Sequence, residues 1–137
     1  MAAEFDIAST ALHPGLSVIE ASAGTGKTYT ITRLVPRLLL DGTAQELSQI
    51  LLVTYTTDAA GELADRVRHV LETLQSPPAD DEEQRDPGLH AIRSRFPQPA
   101  IAETVGRALR DIDRLNVSTI HSFCQRSLQD ESVLCGM

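Results

Sequence analysis

Apolar residues recur along this chain with two different periods, and the alternation between them outlines a fold. Residues 1–15 show neither period and read as irregular, with His13-Pro14-Gly15 as a turn. Leu16 to Ile19 is a short apolar run, expected to be a strand, that leads into a stretch of small residues. A helix is expected from near Gly26, because Ile31, Leu34, Val35, Leu38 and Leu39 fall on one helical face and Asp41-Gly42 is a stop signal. Pro36 interrupts that pattern: it removes a backbone donor in mid-helix, which predicts a kink or an early change of direction. Ile50-Leu51-Leu52-Val53-Thr54-Tyr55 is short, apolar and rich in β-formers, and reads as a buried parallel strand. Thr56 or Thr57 can cap the next helix, whose inner stripe is Ala60, Leu63, Val67, Val70, Leu71 and Leu74.

The segment from Ser76-Pro77-Pro78 to Pro87 is polar and acidic, and reads as a mobile loop over about 76–87. A short helix is expected from Leu89 to Phe96. Pro97-Gln98-Pro99 then opens another, with Ile101, Val105, Ala108, Leu109, Ile112 and Leu115 on one side. Val117 to Ile120 is a third strand candidate, followed by a helical start from His121 to Leu128. No internal repeat is visible. Strand, glycine-rich loop, helix, strand, helix is the βαβ order of an α/β fold with a parallel sheet and flanking helices. Three strands make a thin sheet, and a parallel sheet normally has both faces covered. The chain therefore reads as the first part of a larger α/β domain.

Composition narrows the picture. The 137 residues suffice for one domain, and with 4% aromatics and no Trp its core must be aliphatic. No apolar run reaches the length of a membrane span, and no targeting segment is evident, so the expectation is a cytoplasmic protein with no membrane partner. Cys124 and Cys135 make neither a disulfide framework nor a zinc-ligand spacing. His121 and Cys124 are close in sequence, but no orienting acid or further ligand accompanies them. The net charge of −7 argues against a generic nucleic-acid coat, though not against a local groove. Much of the acid lies in Asp80-Asp81-Glu82-Glu83, which looks like a solvated loop.

One lysine is present in the whole chain, Lys27, and it sits in the glycine-rich stretch. Ala21-Ser22-Ala23-Gly24-Thr25-Gly26-Lys27-Thr28 fits a Walker A phosphate loop, with Ala in place of the usual first Gly. Small residues let backbone amides approach phosphate oxygens, and the helix N-terminus that follows adds the positive end of its dipole. In that reading these eight residues hold ATP, Lys27 bridges the β- and γ-phosphates as the catalytic lysine, and the Thr28 hydroxyl helps hold Mg²⁺. A chance match in a chain of this size has odds of about one in a hundred, and this one also lies between a strand and a helix, as the mechanism requires.

Three segments in order resemble a known family. Ile19 to Thr28 is similar to motif I of superfamily 1 DNA helicases of the UvrD/Rep class, closest to RecB-type and AddA-type helicase–nuclease subunits. Leu52-Val53-Thr54-Tyr55-Thr56-Thr57-Asp58-Ala59-Ala60-Gly61-Glu62-Leu63 resembles their motif Ia. Ser118-Thr119-Ile120-His121-Ser122-Phe123-Cys124 resembles their Thr-x-His-x-Phe segment, and the opening Phe5-Asp6 resembles the start of RecB-type subunits. The upstream glutamine motif of UvrD-type helicases is not found, and Thr57-Asp58 stands where Asn-Lys is common. The resemblance implies a partial RecA-like P-loop NTPase domain: the N-terminal part of the first motor domain of an ATP-dependent 3′→5′ DNA helicase acting in double-strand-break repair and recombination. It implies single-stranded DNA and duplex ends as substrates, and partners of the RecC, RecD or AddB kind. It also implies that Thr54, Tyr55 and Thr56 line a single-stranded DNA channel, with Tyr55 stacking on a base, and that Thr119 and His121 contact the DNA backbone. Without the resemblance, Tyr55 would be the end of a buried strand whose hydroxyl finds a partner, and His121 a cap or packing residue.

Hydrolysis needs a second carboxylate for Mg²⁺, usually at the end of an apolar strand, and a residue that positions water. Asp80-Asp81 follows prolines and Asp111 and Asp113 lie in a helical pattern, so neither pair qualifies, and no arginine finger can be assigned. The expectation is a fragment that binds nucleotide weakly without turnover. Two other readings stay open: a small P-loop kinase or signalling NTPase, and a non-enzymatic remnant whose loop is only a structural turn.

Overall fold

The computed structural model describes residues 5–19 and 26–134. In chain order it contains α1 (Gly26–Leu40), β1 (Leu51–Thr54), α2 (Thr57–Gln75), α3 (Glu82–Arg85), α4 (Pro87–Arg95), α5 (Gln98–Arg110), β2 (Asn116–Thr119) and α6 (Ile120–Leu134). Short 3₁₀ turns at Leu47–Gln49 and Ile112–Arg114 lead into the two strands. β1 and β2 pair in parallel, with Leu51 opposite Asn116 and Thr54 opposite Thr119. The crossover between them carries α2 to α5, and α2 packs on both strands.

The helices form where local signals are strongest. Thr56 caps α2: its hydroxyl accepts from the Ala59 amide at 3.1 Å. The stripe Leu63, Val67, Val70, Leu71 and Leu74 is buried along α2. Val67, Val70, Leu71 and Leu74 of that stripe meet Val35 and Leu39 of α1, Leu89 and Ile92 of α4, and Ile101 and Val105 of α5 in one aliphatic core. Each such side chain contributes about 1.5–3 kcal/mol by leaving water. Ile112 and Leu115, expected on the same stripe as α5, pack on the core from beyond the helix end. Among the described residues no helix is long and apolar enough to cross a membrane.

Three expectations need correction. Leu16 to Ile19 is not a strand: it has no regular structure, and Leu16 and Val18 are 95% and 79% exposed. A strand needs a neighbour, and among the described residues the sheet consists of β1 and β2 paired with each other. Alternate β1 residues Leu51 and Val53 accordingly stay 41% and 39% exposed. Of the two outcomes expected at Pro36, a kink or an early change of direction, the second does not occur. α1 runs on to Leu40, and Val35, Pro36, Arg37 and Leu39 are all buried, which offsets the roughly 3 kcal/mol that proline costs a helix interior. The acidic segment is solvated only in part. Asp80, Asp81 and Glu83 are exposed, whereas Glu82 is buried and opens α3, and Asp86 is half-buried between helices.

The N-terminal segment is held by arginines. Asp6 accepts from the amides of Ala8 and Ser9 at 2.9 and 2.8 Å, closing a turn. Buried Arg37 of α1 donates to the carbonyls of Ile7, at 3.0 Å, and of Thr10. Arg95 of α4 donates to the carbonyl of Ala8.

Candidate functional site

Of the expected phosphate loop, Ala21, Ser22, Ala23, Gly24 and Thr25 lie outside the described residues, and Gly26, Lys27 and Thr28 form the first turn of α1. Lys27 is exposed. Thr28 is half-buried; its hydroxyl has no hydrogen-bond partner among the described residues, while its carbonyl accepts from the Thr32 hydroxyl at 2.9 Å. The first turn contains no acidic residue. A helix N-terminus whose first turn carries an ammonium and a hydroxyl, neither with a partner among the described residues, is the set of groups that a Mg²⁺-polyphosphate requires, so the residues in place fit ATP and Mg²⁺.

The carboxyl ends of the two strands bring the other candidates together. Thr54 and Thr119 are paired partners across the sheet. This is the edge at which open α/β sheets place their ligands. The Thr54 hydroxyl donates to the Thr56 carbonyl at 3.1 Å, and the Thr56 hydroxyl is used in capping α2. The Thr119 hydroxyl accepts from the Ser122 amide at 3.1 Å and donates to the Ser122 hydroxyl at 2.9 Å, so it anchors the start of α6. Tyr55 follows Thr54 in the chain and is 88% exposed, and among the described residues no hydrogen bond holds its hydroxyl. That excludes the buried-strand-end alternative for it. His121 and Cys124 are exposed on the first turns of α6, and Phe123 is 39% exposed beside them. Among the described residues no three groups of metal-binding type stand together.

A second cluster escaped the sequence reading. Tyr29 and Arg33 lie one turn apart on α1, with the guanidinium 4.0 Å above the phenol ring. The Tyr29 hydroxyl donates to Asp86 Oδ1 at 2.6 Å and accepts from the Gly88 amide at 2.8 Å. Arg33 Nη2 donates to Asp86 Oδ2 at 2.6 Å. Asp86 also caps α4 through the Leu89 amide at 3.2 Å. Burial pushes the Asp86 carboxyl up, but the hydrogen bonds from Arg33, Tyr29 and Leu89 outweigh it and hold the group below the ordinary carboxylate value. Burial, and then the bond to Asp86, push the Tyr29 phenol above its ordinary value. One signal for this site was readable: Asp86-Pro87 is the N-cap and first-turn proline pair of a helix start. Its partners, 53 and 57 residues away, were not.

The geometry can be set beside known proteins. The model of the UvrD/REP helicase N-terminal domain matches residues 4–136. The chain is 35% identical over 130 residues to the RecBCD enzyme subunit RecB of Chlamydia trachomatis, covering 91% of this chain and 12% of that protein. It is 37% identical over 132 residues to the RecBCD enzyme subunit RecB of Escherichia coli K12, covering 90% and 11%. With the same subunit of Mycolicibacterium smegmatis the identity is 36% over 118 residues, covering 85% and 11%. The chain thus spans only 11–12% of the length of these relatives. No solved structure matches it. The parallel strands and flanking helices are those of an α/β, RecA-like domain, and the chain belongs to the UvrD/REP helicase N-terminal domain family.

Proposed function

We propose that this chain is the ATP-binding N-terminal part of the first motor domain of an ATP-dependent 3′→5′ DNA helicase subunit that acts in double-strand-break repair and recombination. The observation that carries the reading is Lys27: the only lysine of the chain is exposed in the first turn of α1, at the end of the phosphate-loop sequence and beside a Thr28 hydroxyl that has no partner among the described residues. Lys27 meets the terminal phosphates as a point charge, and Thr28 Oγ1 holds Mg²⁺, which when bound neutralises phosphate oxygens. Thr54, Tyr55, Thr56, Thr119 and His121, gathered at the carboxyl edge of the sheet, contact single-stranded DNA, with Tyr55 as the stacking platform. The parent protein works on duplex ends beside RecC-, RecD- or AddB-like subunits and carries an exonuclease activity, as the likeness to RecB subunits supports.

The chain alone binds Mg-nucleotide weakly and does not turn it over. Neither β1 nor β2 ends in a carboxylate that could serve as the second Mg²⁺ ligand. The test is a titration of Mg-ATP against wild type and Lys27→Ala, with phosphate release measured in parallel. Binding weakened about tenfold or more by the substitution, the loss of one charge-assisted contact, and no release above background are expected. Equal affinity of the two proteins overturns the nucleotide reading, and turnover that depends on Lys27 overturns the prediction of inactivity.

A further inference from the structure

The core does not hold the opening of α1. The buried residues of this helix begin at Thr32, and Gly26 to Ile31 are half-buried or exposed. Within the helix, buried Thr32 bonds the carbonyls of Thr28 and Tyr29; among the described residues the one nearest to Lys27 that another element holds is Tyr29, and what holds it is Asp86. Both oxygens of that carboxylate are engaged by α1, Oδ1 by the Tyr29 hydroxyl and Oδ2 by Arg33. The same carboxylate caps α4, so one side chain sets the start of two helices against each other. α4 is itself immobilised: Arg93 bonds to Glu82 and to the carbonyls of Thr73 and Ser76, and Arg95 to that of Ala8. Gly88 brings the two helices close; a Cβ there would lie 2.8 Å from the Tyr29 hydroxyl and 2.9 Å from Ile7 Cδ1.

We infer that Asp86 is a positioning residue for the phosphate site: through Tyr29 and Arg33 it fixes the first two turns of α1, and with them the direction in which Lys27 and Thr28 meet a polyphosphate. The inference rests on the nucleotide reading above and adds to it a residue far from the loop in sequence. Asp86 does not touch the nucleotide. It removes in advance the freedom that the first turn would otherwise lose on binding.

The test uses the 137-residue chain with Tyr29→Phe, which keeps the ring beneath Arg33 and loses only the hydroxyl, and Asp86→Asn, which keeps a capping side chain. Three readouts are compared: Mg-ATP affinity, melting temperature, and amide hydrogen exchange of residues 30–33 against residues 70–71 of α2 without nucleotide. Each variant should bind Mg-ATP about fivefold more weakly, and exchange at 30–33 should rise about tenfold while that at 70–71 holds, as expected from losing about one hydrogen bond locally. The double variant should be little worse than either single one, because the two groups act as a unit. Wild-type affinity in both variants overturns the positioning role and leaves the nucleotide reading standing. A uniform rise in exchange, with affinity per folded molecule unchanged, shows a structural role only and overturns it equally. Failure of the wild-type chain to bind Mg-ATP overturns the nucleotide reading and this inference together.

Discussion

Arg93 Nε donates to Glu82 Oε1 at 3.0 Å and lies 2.8 Å from Oε2, and each side chain is only 8% exposed. Arg93 also reaches Gln98 and the carbonyls of Thr73 and Ser76, so a single guanidinium ties α3, α4, the end of α2 and the start of α5. A segment of charge and proline that reads as loop is thereby buckled to the core.

Glu82→Ala should therefore cost far more than its neighbours. Removing one member of a buried pair strands the other; about 3 kcal/mol is expected, the low end of the usual range, because Arg93 keeps its carbonyl partners. Glu83→Ala, at an exposed site, should stay within about 0.5 kcal/mol of wild type. Urea denaturation of the two variants decides the matter, and equal midpoints would refute the buried-pair account.

The Tyr29–Asp86 bond needs an ionised carboxylate and a neutral phenol. The Asp86 pKa is lowered in the folded state, so the unfolded chain binds more protons in that range. The stabilisation is complete above the ordinary carboxylate value of about 4 and is lost as pH falls through the folded value. The Tyr29 pKa is raised, so its contribution is complete below about 10 and is lost as pH rises through the folded value. Stability measured against pH should fall at both ends, and Tyr29→Phe should flatten the alkaline limb.

Gly88→Ala tests the close approach of α4 to α1. Alanine favours a helix by up to about 1 kcal/mol over glycine, but here its Cβ would displace the Tyr29 hydroxyl from Asp86. Overpacking of this kind costs about 1–3 kcal/mol, so a net loss of stability is expected in thermal unfolding. A stabilised variant would mean that the contact gives way freely.

Tyr55→Ala should be silent in the fold and audible in binding. An exposed side chain without a partner contributes little to stability, within about 0.5 kcal/mol. If Tyr55 stacks on a base, its loss should weaken binding of a single-stranded oligonucleotide by about 1–3 kcal/mol. Fluorescence anisotropy with labelled DNA measures this, and an unchanged affinity removes Tyr55 from the proposed channel.

What the sequence by itself determined is local. The face of α2, its Thr56 cap, the opening of α1 after the phosphate-loop residues, and the strands β1 and β2 all follow from interactions between residues a few positions apart, whose pattern the chain carries openly. The three ordered motifs pointed in the same way to the family. Only the tertiary structure decided the rest. Leu16 to Ile19 has the composition of a strand but pairs with no other strand among the described residues, and pairing belongs to two segments rather than one. Pro36 is tolerated because the core buries its turn, which no helical periodicity reveals. Among the acids of the 80–86 segment, Asp81 pairs only with its exposed neighbour Arg85, whereas Glu82 and Asp86 are drawn in by arginines 11 and 53 residues away. Charge tells a sequence reader that a side chain prefers water; only a partner brought across the fold can reverse that preference.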